Sequence, residues 1–84
     1  MKKIFIVQNT MLRAKQWDTL VFEVHAETWS SIEIVIEWGG KKTTRRIEAD
    51  YYDIEQEPWI YTYTVNIITP KKVIKGDPQD LIIT

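Results

Sequence analysis

The fold is decided by the stretch Ser31-Ile-Glu-Ile-Val-Ile-Glu-Trp38, in which apolar and polar residues alternate. A period of two places successive side chains on opposite faces of a β-strand. One face of this strand carries Ile32, Ile34, Ile36 and Trp38. The other face carries Ser31, Glu33, Val35 and Glu37. We interpret the stretch as one strand of a small β-sheet domain, with its isoleucine face buried and its glutamates in water.

Similar alternation continues on both sides of this stretch. Gly39-Gly40 predicts a tight hairpin, because paired glycines accept the positive φ of a two-residue turn. The return strand at residues 41–49 is mostly polar, which is typical of a sheet edge. A second strong strand is predicted at residues 59–67, with one face formed by Trp59, Tyr61, Tyr63, Val65 and Ile67. Residues 19–27 predict another, with an inner face of Leu20, Phe22, Val24 and Ala26.

The remaining segments are shorter. Strands are predicted at residues 3–8, 71–75 and 81–84, whereas 9–16 is interpreted as a helical turn or bulged connection and 50–58 as a loop. About seven short strands at this spacing are typical of an antiparallel sandwich or a small barrel. We therefore predict one all-β domain over residues 1–84, an immunoglobulin-like antiparallel β-sandwich. A small Greek-key barrel of about five strands, similar to oligonucleotide-binding folds, is the alternative.

Composition favours a single domain with an aromatic core. The chain has 84 residues, with four Trp, four Tyr and two Phe, and core positions are expected for Trp38 and Trp59. The absence of cysteine excludes disulfides and thiolate zinc sites. The opening Met-Lys-Lys precedes only four apolar residues, too few for a signal peptide or a membrane span. We expect synthesis in the cytoplasm, and no membrane partner.

Residues suited to catalysis are not gathered anywhere in the sequence. His25 is the only histidine, and it falls on the outer face of its strand. Neighbouring Ser30 and Ser31 have neither a nucleophile elbow nor an oxyanion loop beside them. The acidic run at residues 50–57 lacks the spacing and the glycine of a calcium loop. The sequence therefore predicts no enzyme, no cofactor and no metal site.

Charge is nearly balanced overall but clustered locally, with 11 basic and 12 acidic residues and a net charge of −1. The candidate interaction surface joins a basic cluster, Lys41, Lys42, Arg45 and Arg46, to an acidic one, Glu48, Asp50, Asp53, Glu55 and Glu57. Such clusters usually solvate turns and edge strands. A second interpretation places the two signs at opposite ends of the domain, so that copies dock head to tail.

Aromatic residues outside the predicted core suggest a different function. Those at strand ends or in loops, and so candidate exposed aromatics, are Trp17, Trp29, Tyr51 and Tyr52. Exposed tryptophans of this kind stack against sugar rings in carbohydrate-binding sandwiches. Nucleic-acid binding would require aromatics between the cations of residues 41–46. The hairpin has none there, and the acidic stretch that follows would repel phosphates.

The order of features resembles the small immunoglobulin-like domains that open upper-baseplate and related tail proteins of tailed phages. The resemblance is carried by Arg13-Ala-Lys-Gln-Trp-Asp-Thr-Leu-Val-Phe-Glu-Val24, the Ile-Glu-Ile-Val-Ile-Glu strand, Trp59–Ile67, Lys75-Gly76 and Leu81–Thr84. One departure is Trp17, which stands where that family usually has a glycine before the aspartate. The resemblance implies a virion component, from a tail, a baseplate or a head accessory, and transfers no binding residue.

These observations together predict a non-enzymatic structural or interaction module. The expected mechanism is protein–protein docking, by self-association or to another virion protein, in which charge fixes the register and buried aromatics supply the affinity. A carbohydrate-binding sandwich is the first alternative, and a nucleic-acid-binding small barrel is the second.

Overall fold

The computed structural model describes residues 3–6, 10–22, 31–47 and 51–84 of the chain. These residues form nine strands and no helix, and hence none that could cross a membrane. The strands are β1 (Lys3–Ile6), β2 (Leu12–Ala14), β3 (Thr19–Phe22), β4 (Ser31–Trp38), β5 (Lys41–Ile47), β6 (Tyr51–Asp53), β7 (Trp59–Ile68), β8 (Val73–Ile74) and β9 (Gln79–Ile83).

The larger sheet has the strand order β2-β9-β7-β4-β5, and β8 pairs with one end of β7. Its centre is the antiparallel pair β4–β7, in which Ile34 lies opposite Val65. This pairing places the apolar faces of the two strongest predicted strands side by side. At one edge, β2 runs parallel to β9, and at the other edge β5 pairs with β4.

The smaller sheet has the order β1-β3-β6, with β1 parallel and β6 antiparallel to β3. Leu20 and Phe22 of β3 and Tyr52 of β6 pack in the same apolar cluster as the isoleucines of β4. One core therefore lies between two sheets, which is how alternating strands bury their apolar faces. The sheets do not close into a barrel over the described residues, so the predicted barrel alternative is wrong there.

The predicted hairpin and its edge strand are confirmed. Gly39 and Gly40 have φ values of 54° and 79°. These values lie in the left-handed region that glycine occupies without the steric cost of a side chain. Trp38 of β4 then pairs directly with Lys41 of β5. Among the described strands, β5 pairs only with β4, so its other edge is an edge of the sheet.

Two segments differ from their predicted structure. Residues 9–16 contain the short strand β2 instead of a helical turn, because Leu12 and Ala14 face the core and pair with β9. The predicted loop at 50–58 contains β6, in which Tyr52 points inward between the exposed Tyr51 and Asp53. Both strands have three residues. In each strand, charged residues lie beside the buried ones, so the sequence shows no clear alternation of apolar and polar residues.

Candidate functional site

The core ends before the ends of β4 and β7. Along β4, the exposed fraction of the core-facing side chains is 4% at Ile36 and 45% at Trp38. Along β7, it is 1% at Tyr63 and 58% at Trp59. β4 and β7 are antiparallel neighbours, and Ile36 lies opposite Tyr63. The core-facing side chains of the two strands therefore become exposed at the same end of the sheet. The predicted core positions of Trp38 and Trp59 are therefore wrong, because both lie beyond the last buried layer.

The two tryptophans contact each other at this end. Their ring centroids are 6.3 Å apart and their planes meet at 85°, an edge-to-face arrangement. The Lys41 ammonium lies 5.8 Å from the centre of the Trp38 ring, within the range of a cation–π interaction. Next to Trp59, Ile60 is 64% exposed on the opposite face of the sheet. Large apolar side chains therefore reach solvent on both faces.

Trp17 lies at the same end of the domain. It follows β2 by three residues, in the turn that leads to β3, and Ala14 of β2 pairs with Ile83, which in turn pairs with Trp59. Its side chain is 54% exposed. We call the surface formed by Trp17, Trp38, Trp59 and Ile60 the aromatic end.

The turn that carries Trp17 is held by five hydrogen bonds. Two close the turn on itself, and three join it to the segment after β6. Asp18 is buried, so its carboxylate caps the turn from inside and faces away from solvent. The bonds run from Lys15 N to Asp18 Oδ2 (2.9 Å), Asp18 N to Lys15 O (3.1 Å), Trp17 N to Ile54 O (2.7 Å), Ile54 N to Asp18 O (2.9 Å) and Gln16 Nε2 to Glu55 O (2.9 Å).

Trp17 also has an unfavourable backbone conformation. Its φ is 72°, and Trp17 is the only non-glycine residue with positive φ in the described part of the chain. For an L-residue with a Cβ, the left-handed region costs roughly 1–2 kcal/mol. Glycine would avoid this cost, because it has no Cβ. The five hydrogen bonds of the turn stabilise this backbone conformation in spite of its cost.

The segment between β6 and β7 crosses this end of the domain. Ile54 is fully buried, and the Tyr61 hydroxyl donates a 2.7 Å hydrogen bond to the carbonyl of Glu57. Burial and the Glu57 carboxylate both raise the pKa of Tyr61. The segment is therefore fixed at Ile54 by packing and at Glu57 by a hydrogen bond.

A groove of about 410 Å³ lies between the hairpin and β7. Its apolar lining comes from Trp38 and Ile60, and its polar lining includes Thr62 and the ion pair between Glu37 and Lys42, which is 3.2 Å long. A second groove, of about 470 Å³, lies between the turn and Thr84. The second groove is lined by Lys15 and Asp18, on either side of Trp17 in the chain, whereas Trp17 itself lines neither of these two grooves.

The predicted basic cluster is divided between the two faces of β5. Lys41 and Arg45 lie on the core-side face, opposite Trp38 and Ile34. Lys42 and Arg46 lie on the outer face, where Lys42 pairs with Glu37 and Arg46 Nε donates to Ser31 Oγ at 3.2 Å. The alternation of the strand thus separates cations that are adjacent in sequence.

The acidic cluster lies close to part of the basic one. Arg45 and Glu55 both influence the pKa of Tyr52, Arg45 by lowering it and Glu55 by raising it. One residue of each cluster therefore lies near the Tyr52 hydroxyl. Asp53 accepts a 2.6 Å hydrogen bond from the Thr19 hydroxyl. Glu48 and Asp50 lie outside the described residues.

Of the four candidate exposed aromatics, some are exposed and one is buried. Trp17 and Tyr51 are exposed, whereas Tyr52 is buried and its predicted exposure is wrong. The inward side of β6 points at the core, and the Gln56 amide donates to the Tyr52 hydroxyl at 3.1 Å. Burial is the main reason that the pKa of Tyr52 is raised. Trp29 and His25 lie outside the described residues.

Sequence reasoning missed Trp38, Trp59 and Ile60 as surface residues. In the described part of the chain, no group of three or more His, Asp or Glu side chains is close enough to hold a metal ion. What the aromatic end offers is apolar surface on a fixed backbone, with charges of both signs around it. Comparison with protein families, with characterised proteins and with solved structures gives no match for this chain.

Proposed function

We propose that this chain is a non-enzymatic interaction module that binds protein through its aromatic end, as a structural component of a phage-type virion. The observation that supports the proposal is the exposure of three tryptophans at one end of the domain. Exposed apolar surface of this kind is typical of interaction sites. Tryptophan is also among the residues that contribute most to binding at protein interfaces.

The position of these tryptophans supports binding without reorganisation. Trp38 follows the buried Ile36 on its face of β4, Trp59 is followed on its face of β7 by the half-buried Tyr61 and the buried Tyr63, and Trp17 sits on a hydrogen-bonded turn. A binding surface that is already ordered loses little conformational entropy when a partner docks. The basic and acidic side chains around it would set the orientation and speed the encounter.

An immunoglobulin-like sandwich is the more specific fold that we propose. The five-stranded path β2-β9-β7-β4-β5 faces β1-β3-β6, and the pair β3–β6 is antiparallel. The bond from Tyr61 at the start of β7 to Glu57, four residues earlier, resembles the tyrosine corner of such sandwiches. The parallel pair β1–β3 departs from that pattern. So does the number of strands, which is nine over the described residues.

The phage assignment depends on the sequence resemblance, and one structural observation supports it. Where the resembled domains have glycine, this backbone has a left-handed conformation at Trp17. Glycine is favoured in that conformation because it lacks a Cβ. The backbone at Trp17 therefore has a conformation that a glycine at this position would favour.

The first test is the mass of the protein in solution. We would measure light scattering after gel filtration over a hundredfold range of concentration, at low and at high salt. The proposal expects a defined oligomer or a defined complex with a virion protein, weakened in Trp38→Ala and Trp59→Ala. Tyr51→Ala is the matched control, because Tyr51 is an exposed aromatic on the smaller sheet. A strict monomer that retains no partner would contradict the proposal.

Carbohydrate binding is the second candidate, because the exposed indole of Trp38 offers a face on which a sugar ring can stack. Lys41 lies on the same side of the sheet, 5.8 Å from that ring, and could donate hydrogen bonds to sugar hydroxyls. Oligosaccharides should then quench tryptophan emission. The quench should vanish in Trp38→Ala with the fold intact, whereas no quench by any glycan would remove this candidate.

A further inference from the structure

We infer that the open edge of β5 binds an acidic, extended segment of a partner protein as an additional strand of the larger sheet. The partner segment would lie beside Lys41–Ile47, with its carboxylates next to the cations of that strand. The inference goes beyond the proposed function, because it concerns a surface other than the aromatic end and names the chemistry of its occupant.

The edge of β5 is long enough and open enough to accept a strand. Among the described strands, β5 pairs only with β4, and all seven of its residues take part in that pairing. Five of the seven side chains are exposed, so the strand is open to solvent over most of its length. Addition of a strand at such an edge is a recurring mode of peptide recognition, in which main-chain hydrogen bonds supply the affinity.

The hairpin determines which backbone groups of β5 point outward. Both glycines of the turn have positive φ, as a two-residue turn of type I′ requires. Such a turn closes with a hydrogen bond from the Lys41 N–H to the Trp38 carbonyl. Along an antiparallel strand, the backbone groups of successive residues point alternately toward the paired strand and away from it. The residues whose N–H and C=O groups face the open edge are therefore Lys42, Thr44 and Arg46.

The charge of β5 makes this edge selective. The strand carries four cations and no carboxylate. Two copies joined along it, or any basic strand added to it, would place like charges opposite one another, which is destabilising. An acidic strand would place opposite charges there, which is stabilising. The cations that protect the edge against unspecific pairing thus also define the partner that it accepts.

The two cations on the core-side face of β5 have no carboxylate opposite them on β4. Lys41 lies opposite Trp38, and Arg45 lies opposite the apolar side chain of Ile34. In the described part of the chain, neither cation forms an ion pair. The cations of the outer face, by contrast, lie opposite the two glutamates of β4. We therefore expect the carboxylates of the partner to lie on the core-side face.

An acidic protein segment fits this edge better than a nucleic acid does. Proteins that bind single strands combine a basic groove with exposed aromatic side chains on which the bases stack. β5 has no aromatic residue, and its cations are divided between the two faces of the sheet. An unpaired row of N–H and C=O groups is complementary to another extended polypeptide backbone, which a phosphodiester chain does not provide.

The first part of the test concerns charge. The probe is a seven-residue peptide in which glutamate and valine alternate, titrated into the full chain by calorimetry. Binding should weaken as salt is added, because the cations are exposed. Arg45→Gln should weaken binding about threefold, and the double variant Lys41→Gln, Arg45→Gln about tenfold. Lys71→Gln is the matched control, since it removes an exposed cation from the turn between β7 and β8, and it should change the Kd less than about twofold.

The second part of the test concerns backbone pairing. The same peptide N-methylated at three successive central residues retains its charge but cannot donate main-chain hydrogen bonds there. It should bind at least about tenfold more weakly. Hydrogen exchange followed by NMR should show new protection at the amides of Lys42, Thr44 and Arg46 when the unmethylated peptide binds. The amides of the other β5 residues should change little, because they already face β4.

The possible outcomes can be distinguished from one another. The inference would be overturned if the acidic peptide did not bind at concentrations up to about 1 mM, or if the N-methylated peptide bound equally well. Binding unaffected by Arg45→Gln in a variant that circular dichroism shows to be folded would also overturn it. Binding of oligothymidylate in place of the peptide would assign the edge to nucleic acid. None of these results concerns the aromatic end, whereas a strict monomer that binds the peptide but retains no virion protein would contradict the proposed function alone.

Discussion

Trp38 and Trp59 meet edge to face, with ring centroids 6.3 Å apart, on neighbouring strands just beyond the last buried layer. Neither indole completes the core, and each shields part of the other from water. An edge-to-face aromatic pair contributes roughly 0.5–1.5 kcal/mol beyond its area burial. The pair is therefore a small local unit whose energy can be separated from that of the core.

The first prediction concerns this pair. Trp38→Ala and Trp59→Ala should each destabilise the domain by about 1–2 kcal/mol, and the double variant should lose less than their sum by about 1 kcal/mol. A urea-unfolding double-mutant cycle measures this coupling. Ile36→Ala, at the adjacent buried position, is the control and should cost about 2–5 kcal/mol. Costs of that size at Trp38 would mean that it belongs to the core after all.

The second prediction concerns the backbone at Trp17. Trp17→Gly and Trp17→Ala both remove the indole, but only alanine retains the left-handed strain at φ 72°. The glycine variant should therefore be about 1 kcal/mol more stable than the alanine variant, in spite of the greater freedom of glycine in the unfolded chain. Thermal and urea unfolding of the two variants give the difference. An alanine variant of equal or greater stability would show that the turn relaxes to negative φ.

The third prediction concerns the alkaline limit of stability. Tyr63 is almost fully buried and donates a hydrogen bond to the Thr10 carbonyl, and burial raises its pKa from 10.0 to about 12. Below pH 10 the hydroxyl is protonated in both folded and unfolded chains. Above pH 10 the unfolded chain ionises first, so stability should fall by up to about 1.4 kcal/mol for each pH unit until about pH 12.

Tyr63→Phe provides the control for this prediction, measured by urea unfolding between pH 8 and 12. The variant should be less stable than the unmodified chain at pH 8 by about 1 kcal/mol, because it lacks the hydrogen bond. Its decline above pH 10 should be shallower. Some decline should remain, since the pKa values of Tyr52 and Tyr61 are also raised. Equal slopes in the two proteins would assign the alkaline transition to other groups.

The fourth prediction concerns the hairpin. An added Cβ at Gly39 or Gly40 would meet no atom within 4 Å, but both backbones have positive φ. Alanine should therefore cost about 1 kcal/mol or more at either position through backbone strain alone. Asparagine at Gly39 should cost less, because it tolerates the left-handed region. If alanine and asparagine proved equivalent in chemical unfolding, strain at the turn would not be the cause.

Local sequence pattern predicted the long strands well and the limits of the core poorly. Ile32, Ile34 and Ile36 are buried as the period of two requires. The same period assigned Trp38 to the core, since alternation defines which face a side chain lies on and carries no information about where the opposing sheet ends. That limit depends on contacts between the two sheets.

The short strands were missed for a related reason. In β2, Arg13 separates Leu12 from Ala14, and in β6 only Tyr52 of the three residues is buried. A run of three residues cannot establish a period. What makes β2 a strand is β9, which lies at the other end of the sequence. The exposed position of Trp17 agrees with its loop assignment, but its left-handed φ had no local signal in the sequence.

The parallel pairing of β2 with β9 has a consequence for the order of folding. Ala14 accepts a hydrogen bond from Thr84, 70 residues later, and β9 also lies between β2 and β7. Among the described strands β2 pairs only with β9, so during translation Leu12 and Ala14 cannot form this pairing until β9 has left the ribosome. Topologies that join distant segments fold slowly, because the loop must close before the contacts form. Until β9 is released, the nascent chain therefore leaves Leu12 and Ala14 without this pairing and exposed to aggregation or chaperone capture.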